Sequence, residues 1–457
     1  MKTHLPIGHR LSRLRLAIDP DGTARTGSQL MQRARELAFA WATHGVRPGV
    51  PVVIELPNDS RALVRLAAAE RIDAPVIAAH SRWTAVERSR VARLAGASHT
   101  IGDDDVPAAL TTTAAATPDL PKGAALVLFT SGTTDTPRGA ILTLDSLNAA
   151  AEAACTDLSF DTSDVYLSVA PLYHVAGFAV CTLAALEAGA SIRFLGDFDA
   201  DRVAAALMDG MATATLMVPT MWERVADRLT RRARGLSVAI TGGAPDAPTL
   251  AARLRARGVP LTRGYGTTEA GGTIAWANPA TDGDAYTLGR PAHGVEVVAP
   301  PPGMRGELVV RTTSMARGLL TRAGVIPNAA VGTGDDVTRL DDGSLQWHGR
   351  IDDGILTGGE LVDAHEVERA LLFHPDVRDA LVVGVPCPDW GQRVSAVVAL
   401  ARPCDPGALD AWLRRRIAAY KLPRRWAFVD EVPRSPGGKP DRAAALDLAR
   451  GPMAWAS

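Results

Sequence analysis

The sequence predicts an α/β protein. It has a large N-terminal lobe of mostly parallel sheets with helices, a small β-rich subdomain closing that lobe, and a small α+β module at the C-terminus. Three observations carry this. Short apolar runs alternate with helix-period stretches through most of the chain. From Gly303 the runs become short alternating strands divided by Gly and Asp turns, and past Arg350 helix and strand patterns restart. At 457 residues the chain also exceeds what one compact core accommodates.

Taken in order, Leu30, Ala34, Leu37 and Trp41 recur on one helical face that stops at Gly45. After the turn residues Pro48 and Gly49, the run Val50 to Leu56 has the length and β-branched content of a buried strand. A helix from Arg61 to Ile72 leads to a strand over Ala74 to Ala79, and Gly102 to Lys122 reads as an exposed connection. The strand Ala124 to Phe129 delivers the chain into a loop of hydroxyls and glycine, and further strands follow at Asp164 to Val169, Ala212 to Val218 and Leu236 to Ile240. Gly306 to Arg311 and Ser344 to His348 are the alternating strands of the β-rich subdomain, about 285–350. The boundary at Ile351 to Gly354 divides an N-terminal domain, 1–351, from a C-terminal domain, 352–457. The second domain is expected to hold a helix over Ala364 to Phe373, strands over Ala380 to Val385 and Val394 to Leu400, and a basic helix from Pro406 to Tyr420.

Bulk properties exclude several classes of function. Lys and Arg total 49 against 50 Asp and Glu, a formal net charge of −1, so there is no electrostatic case for nucleic acid or an anionic membrane as the main partner. No apolar run approaches the roughly 20 residues needed to span a bilayer, and the N-terminus lacks the apolar core of a secretory signal. Cys155, Cys181, Cys387 and Cys404 show no CxxC spacing, which points to a reducing, cytoplasmic setting.

Chemistry concentrates in loops. Thr130-Ser131-Gly132-Thr133-Thr134, continuing to Arg138 and Gly139, follows a strand; glycine lets backbone N–H groups approach phosphate, and hydroxyls add donors without bulk. No Gly-Lys-Ser/Thr occurs there, so the loop is not that of P-loop kinases or GTPases. Tyr265, between Gly264 and Gly266, is free to lay its ring on a purine. Thr268 offers a donor for the α-phosphate, and Glu269 is a hard oxygen ligand suited to Mg²⁺. Asp335 in Thr333-Gly334-Asp335 has the acceptors for both ribose hydroxyls, with Arg350 a fork donor to the same sugar. Each residue also has a plainer reading: a turn tyrosine, a solvated Glu, an ordinary β-turn, a core-packed His174, a solvated Lys439.

The loop Thr130 to Gly139 resembles the phosphate-loop signature TSGTTGxPKG of the adenylate-forming enzymes, which comprise acyl- and aryl-CoA synthetases, peptide-synthetase adenylation domains and luciferases. The resemblance continues in order. Pro171 to Val175 is similar to the aromatic-His segment beside the carboxylate pocket, and Thr241-Gly242-Gly243-Ala244-Pro245 to the loop along the adenine and acyl chain. Gly264-Tyr265-Gly266-Thr267-Thr268-Glu269 resembles the GYGxTE motif, while Thr333 to Asp335, Gly349-Arg350 and Pro433 to Arg442 resemble the TGD, GR and PxxxxGKxxR elements.

That resemblance implies an ATP- and Mg²⁺-dependent carboxylic acid–CoA ligase working through an acyl-AMP intermediate, with coenzyme A as co-substrate. It implies that Lys439 bridges the substrate carboxylate and α-phosphate, that His174 orients the carboxylate, and that Asp352 is the hinge of a swinging module beside the torsionally free Gly354. In a second orientation, Thr357-Gly358-Gly359-Glu360 replaces Lys439 and opens a thiol channel. Tyr173, Gly177, Phe178 and Met217 are pocket candidates with His174, Gly242 and Gly243, and their apolar character suits a fatty or aromatic acid.

The chain departs from the pattern at Asp135 and Arg138, where Gly and Lys are usual, and at Leu356, where many members carry Lys. The o-succinylbenzoate–CoA ligases are of similar short length and can also lack that Lys, but their His-x-Ser-Gly is His174-Val175-Ala176-Gly177 here. Two alternatives stay open. One is acyl transfer to the phosphopantetheine of an acyl carrier protein, met by the basic stretch Arg414 to Arg416 with Lys421, Arg424 and Arg425; a solvated helix face is the plainer reading of that stretch. The other is a non-catalytic nucleotide- or acyl-binding homologue.

Overall fold

The computed structural model describes residues 7–80, 83–110, 118–130 (Thr130 by its backbone), 138–244, 249–279, 281, 287–435 and 439–451. Among these the architecture is three sheets with helices packed against them.

One sheet of eight strands is built around the parallel strands His99–Ile101, Val52–Glu55, Val76–Ala79 and Ala124–Thr130. Each parallel strand except the last is preceded or followed by an amphipathic helix, as the alternating pattern requires. Gly27–Thr43 is one: Leu30, Ala34 and Trp41 are wholly buried, and a capping box between Thr26 and Gln29 starts it. Ser60–Ile72 is another, with Asp59 as N-cap and Asp73 in the left-handed conformation at its end. The strand Arg138–Thr143 returns antiparallel from Ala124–Thr130, with Thr130 and Arg138 as Cα partners, so the loop rich in hydroxyls joins two hydrogen-bonded neighbours. The connection at 102–122 contains the short strand Pro107–Ala109, which the sequence reading missed.

The second sheet has thirteen strands. Leu16–Ile18, Ser191–Phe194, Val165–Ser168, Ala214–Met217, Val238–Gly242 and Leu261–Thr267 form its parallel part. At Gly272–Ala277 the pairing turns antiparallel, and the strands Thr287–Pro291, Leu345–Arg350, Val331–Arg339, Arg305–Thr312 and Val295–Ala299 continue it. The expected β-rich subdomain is therefore present as strands, but it extends the parallel sheet through shared hydrogen bonds. Its hairpin Gly318–Pro327 joins the eight-stranded sheet instead.

The third sheet holds Glu360–Asp363, Gly354–Thr357, Gly391–Leu400, Val377–Cys387 and the parallel strand Arg425–Val429. Helix Ala364–Leu372 packs on it, but the basic helix is shorter than expected. It ends at Arg414; Ala418 beyond it is extended, as is Leu422 before Pro423. Several of its cations have partners within the module: Arg414 bonds Asp410, Arg416 lies over Trp412, Lys421 pairs with Glu366 at 2.6 Å, and Arg424 lies over Trp390. Leu356 and Leu361 are a cross-strand pair and stand 56% and 69% exposed.

A charge cluster secures the module to the Ile351–Asp353 turn. Arg442 donates to Asp353 at 2.7 Å, to Glu368 at 2.8 Å and to the Val382 carbonyl. His365 places one ring nitrogen 3.2 Å from Asp353 and the other 2.9 Å from Glu368. His365 and Glu368 are 7% and 6% exposed. Burial opposes the charge on His365, but Glu368 and Asp353 outweigh it and raise its pKa to about 9. Burial likewise opposes ionisation of Glu368, and Arg442 and His365 pull it down to about 2.

The folded state thus holds the His365 proton more tightly than the unfolded chain does. That stabilisation is complete below the ordinary histidine pKa of 6.5 and is lost as pH rises through about 9. Glu368 acts oppositely: its contribution is complete above 4.5 and lost as pH falls towards about 2. Thermal melts across this range should show Tm falling on the alkaline side, and His365→Gln should flatten that fall.

Candidate functional site

The site is a cleft to which both large sheets contribute, with a lysine from the C-terminal module at its edge. On the first sheet, the strand Ala124–Thr130 ends at the hydroxyl-rich loop; Ser131, Gly132, Thr133, Thr134 and Asp135 lie outside the described residues, and Arg138 is exposed at the start of the return strand. The neighbouring parallel strand Val76–Ala79 ends at His80. Carboxyl ends of parallel strands are where α/β sheets present ligand-binding groups.

On the second sheet, the chain leaves the strand Val165–Ser168 and passes through Tyr173 and His174 into a π-helix, Ala176–Thr182. Such turns occur mainly at functional sites. Gly177 is required there: a Cβ would stand 2.4 Å from the Pro171 carbonyl oxygen. The Thr182 hydroxyl donates to the Gly177 carbonyl at 2.7 Å. The three rings His80, Tyr173 and His174 meet in the cleft, with centroids 4.3 Å apart for His80–Tyr173, 4.7 Å for Tyr173–His174 and 5.7 Å for His80–His174.

His174 is exposed at the cleft edge, so it is no core-packed histidine. The surrounding protein nevertheless removes much of its hydration, and His80 and then Lys439 add positive charge, so its pKa falls to about 4. Its imidazole is neutral near pH 7, an uncharged hydrogen-bonding partner for an anionic ligand. Lys439 itself is exposed, in a turn closed by the Ser435 N–H donating to the Lys439 carbonyl at 2.8 Å.

Tyr173 is half-buried beside the core, as a pocket wall would be. Phe178 and Met217 are fully buried, each within a core cluster. They support the cleft from behind and, in this conformation, present no surface to it, contrary to expectation.

The floor is formed where the strands Val238–Gly242 and Leu261–Thr267 run parallel. Gly242 and Gly264 are Cα partners, and a Cβ on Gly242 would lie 2.3 Å from the Gly264 carbonyl oxygen. Gly243 has φ +83°, a conformation that suits glycine. Gly266 is packed as closely, a Cβ there standing 2.1 Å from the Gly272 carbonyl oxygen. These glycines therefore answer to strand packing at least as much as to close approach by a ligand. Beside them Ala244 is half-buried, and the buried Thr241 hydroxyl has no hydrogen-bond partner among the described residues.

Asp335 is 5% exposed, and its carboxylate is shared. Tyr265 Oη donates to one oxygen at 2.5 Å and Trp347 Nε1 to the other at 3.0 Å, while Arg350 lies 3.4 Å away and donates to the Thr333 carbonyl at 2.7 Å. Burial and the adjacent carboxylate raise the Tyr265 pKa well above its usual range, so it stays a donor. Three donors of the protein thus already reach the Asp335 carboxylate, and a sugar would share what acceptor capacity remains. Thr267 accepts from the Ala270 N–H, and Gly271 donates to the Thr268 carbonyl, forming a turn that sets Glu269 half-buried. The Glu269 carboxylate has no ion-pair partner among the described residues. An unpaired hard oxygen donor, spare acceptors at Asp335 and the orphan Thr241 hydroxyl suit a nucleotide carrying Mg²⁺.

His80, Trp83, Trp347, Asp353 and His365 escaped the sequence reading. His80 alone had a usable signal, its place directly after a strand that feeds the cleft. The expected hinge residue Asp352 is exposed, and its neighbour Asp353 makes the contacts.

The chain belongs to the AMP-binding enzyme family, whose model matches residues 11–320; the AMP-binding enzyme C-terminal domain matches residues 366–439. Among its relatives, a feruloyl-CoA synthase of Amycolatopsis is 32% identical over 94% of this chain and 95% of its own. A 2-succinylbenzoate–CoA ligase of Geobacillus kaustophilus is 29% identical over 93% of each chain. Among solved structures, the amide bond synthetase McbA from Marinactinospora thermotolerans superposes with a TM-score of 0.83 at 28% identity, covering 97% of this chain and 99% of that one. Among the described residues, no helix is long and apolar enough to cross a membrane.

The geometry makes a spectroscopic prediction. His174, assigned by its loss in His174→Gln, should titrate with a midpoint near pH 4. Lys439→Ala should move that midpoint upward, since it removes a positive neighbour. An unmoved midpoint would place Lys439 away from His174 in solution.

Proposed function

We propose that this protein is an ATP- and Mg²⁺-dependent carboxylic acid–CoA ligase acting through an acyl-adenylate. The observation that supports the reading is that the charge of Lys439, from the C-terminal module, reaches the neutral His174, in a chain that also holds a buried Asp335 carboxylate ringed by donors and a Glu269 with no ion-pair partner among the described residues. The chemistry needs a positive group where negative charge gathers, and a neutral imidazole beside an already ionised carboxylate.

In the first half-reaction a carboxylate oxygen of the acid attacks the α-phosphorus of ATP. The bond from that phosphorus to the bridging oxygen breaks, and pyrophosphate leaves. Asp335 and Arg350 hold the ribose, Tyr265 lies along the purine, and Thr130 to Thr134 with Thr268 donate to phosphate. Mg²⁺, held by Glu269, supplies charge neutralisation at the phosphates when bound. His174 orients the acid, and Lys439 bridges the carboxylate and an α-phosphate oxygen as charge builds. In the second half-reaction the CoA thiolate attacks the acyl carbon, the acyl–phosphate oxygen bond breaks and AMP leaves. For this step we assign the module a second orientation, reached by torsion at Asp352 to Gly354, with the hairpin carrying Thr357 to Glu360 at the cleft. We set the boundary between domains at that turn.

We favour an aromatic or other apolar acid, supported by the His80–Tyr173–His174 cluster, by Trp83 against Phe129 and by the feruloyl-CoA synthase among the relatives. Free CoA is the acceptor we favour over an acyl carrier protein, because much of the basic stretch is engaged within its own module. The cytoplasm, which holds both ATP and CoA, is the compartment we assign.

Acid-dependent pyrophosphate release over a panel of aromatic and fatty acids tests the class, and acyl-CoA formation against carrier-protein loading tests the acceptor. Release with no acid in the panel, or loading of carrier without acyl-CoA, would overturn the corresponding half. Lys439→Ala should slow adenylation by at least about a hundredfold, since removing such a contact costs ~3 kcal/mol or more. It should spare thioester formation from supplied acyl-adenylate. Asp352→Pro should do the reverse, its fixed φ restricting the hinge.

A further inference from the structure

His365 stands where four separately placed elements meet. It lies in the first turn of the helix Ala364–Leu372, and its ring packs on Trp347 of the strand Leu345–Arg350 with centroids 4.6 Å apart. The approach is close enough that a Cβ on Gly349 would stand 2.7 Å from His365 Cδ2. Its two nitrogens face Asp353 of the Ile351–Asp353 turn and Glu368 of its own helix. Both partners are acceptor-only when ionised, so only the doubly protonated ring satisfies both.

The same two carboxylates receive Arg442, which opens the helix Arg442–Arg450 only three residues beyond Lys439. Arg442 also lies 3.0 Å from the ring and opposes its charge, as does burial; Glu368 and Asp353 favour it. Asp363, at the head of the helix, is the other carboxylate that feels the ring. With His365 charged, Asp353 and Glu368 face two cations. With it neutral, the two largely buried carboxylates are left to share the single charge of Arg442.

Trp347 continues the path on the other side. Its indole N–H is held by Asp335, whose second oxygen receives Tyr265. Packed rings and charge-assisted hydrogen bonds therefore run without a break from Asp335 to the residue that follows Lys439 in the chain by three.

We propose that His365 is a positioning residue for adenylation: clasped by Asp353 and Glu368 and seated on Trp347, it holds the C-terminal module in the orientation that keeps Lys439 at the cleft. This rests on the adenylating role given to Lys439 above. On this proposal the positioning serves one half-reaction, because in the orientation seen here the contact joins the module to Trp347 beside Asp335.

The experiment uses full-length protein and measures two rates, pyrophosphate release at saturating acid and ATP, and thioester formation from supplied acyl-adenylate with CoA. His365→Gln keeps hydrogen-bonding capacity and cannot carry charge. It should lower kcat for adenylation about tenfold, equivalent to ~1.4 kcal/mol, and leave the thioester rate within about twofold. Wild-type adenylation should fall with a midpoint near pH 9, and that limb should vanish in the variant. Trp347→Phe, which retains a ring but loses the bond to Asp335, carries the same test if His365→Gln does not fold. Its adenylation loss should combine with that of His365→Gln to less than the product of the two.

Equal loss of both half-reactions, an alkaline limb unchanged in the variant, or fully multiplicative effects would each overturn the proposal. Failure of the underlying reading looks different: Lys439→Ala would then leave pyrophosphate release intact.

Discussion

A carboxylate taken out of water needs donors from several directions, and Asp353 and Glu368 impose that need at the joint of this molecule. Their demand is met by Arg442 from one helix and His365 from another, so the turn at Ile351 to Asp353, the helix Ala364–Leu372 and the helix following Lys439 are mutually located. The two helices each have an apolar face on the third sheet, but apolar packing alone tolerates small sliding. Directional bonds to two shared anions do not. Lys439 is itself exposed, and the placement proposed for it is inherited from that cluster.

The cleft divides its labour between the two large sheets. The first brings the phosphate loop and His80, and the second brings Tyr173, His174, the glycine floor and Asp335. Positive charge then enters from a third element, and the field of Lys439 helps keep His174 neutral. A permanently charged imidazole at that point would bind anions whether or not the lysine had arrived. A neutral one leaves the cation to Lys439, so on the swinging-module reading proposed above charge is added when the module closes and withdrawn when it leaves.

Much of this was legible in the chain. The strands feeding the cleft are short apolar runs ending in Gly, Ser or Thr, and local pattern alone locates them. Thr130, Gly264 to Glu269, Asp335, Arg350 and Lys439 stood out because ligand-directed loops keep unusual residue combinations. What escaped has a common cause: it depends on approach between distant segments. Trp347 looks like one more alternating strand residue until its N–H is seen on Asp335. His365 looks like a polar helix residue until Gly349 admits it to the seam. The ion pairs of Asp353 beside the proposed hinge Asp352 were also missed, since sequence alone does not say which of two adjacent aspartates turns inward. Phe178 and Met217 were put in the pocket wall by proximity to it in the chain, and side-chain direction turned them into the core. The β-rich subdomain within the N-terminal domain was legible from an alternating pattern unlike that of buried parallel strands; that hydrogen bonding joins it to those strands in one sheet was not.

Leu356 and Leu361, paired across the hairpin of the third sheet and open to water, have a thermodynamic consequence. Apolar surface in water raises heat capacity, and covering it lowers heat capacity. Any arrangement of the module that lays this pair against the cleft therefore differs from the present one in heat capacity as well as in contacts. Its advantage fades on cooling, as hydrophobic association does. On the two-orientation reading proposed above, the balance between the orientations is then a function of temperature, with the cold favouring the state in which these leucines remain wet.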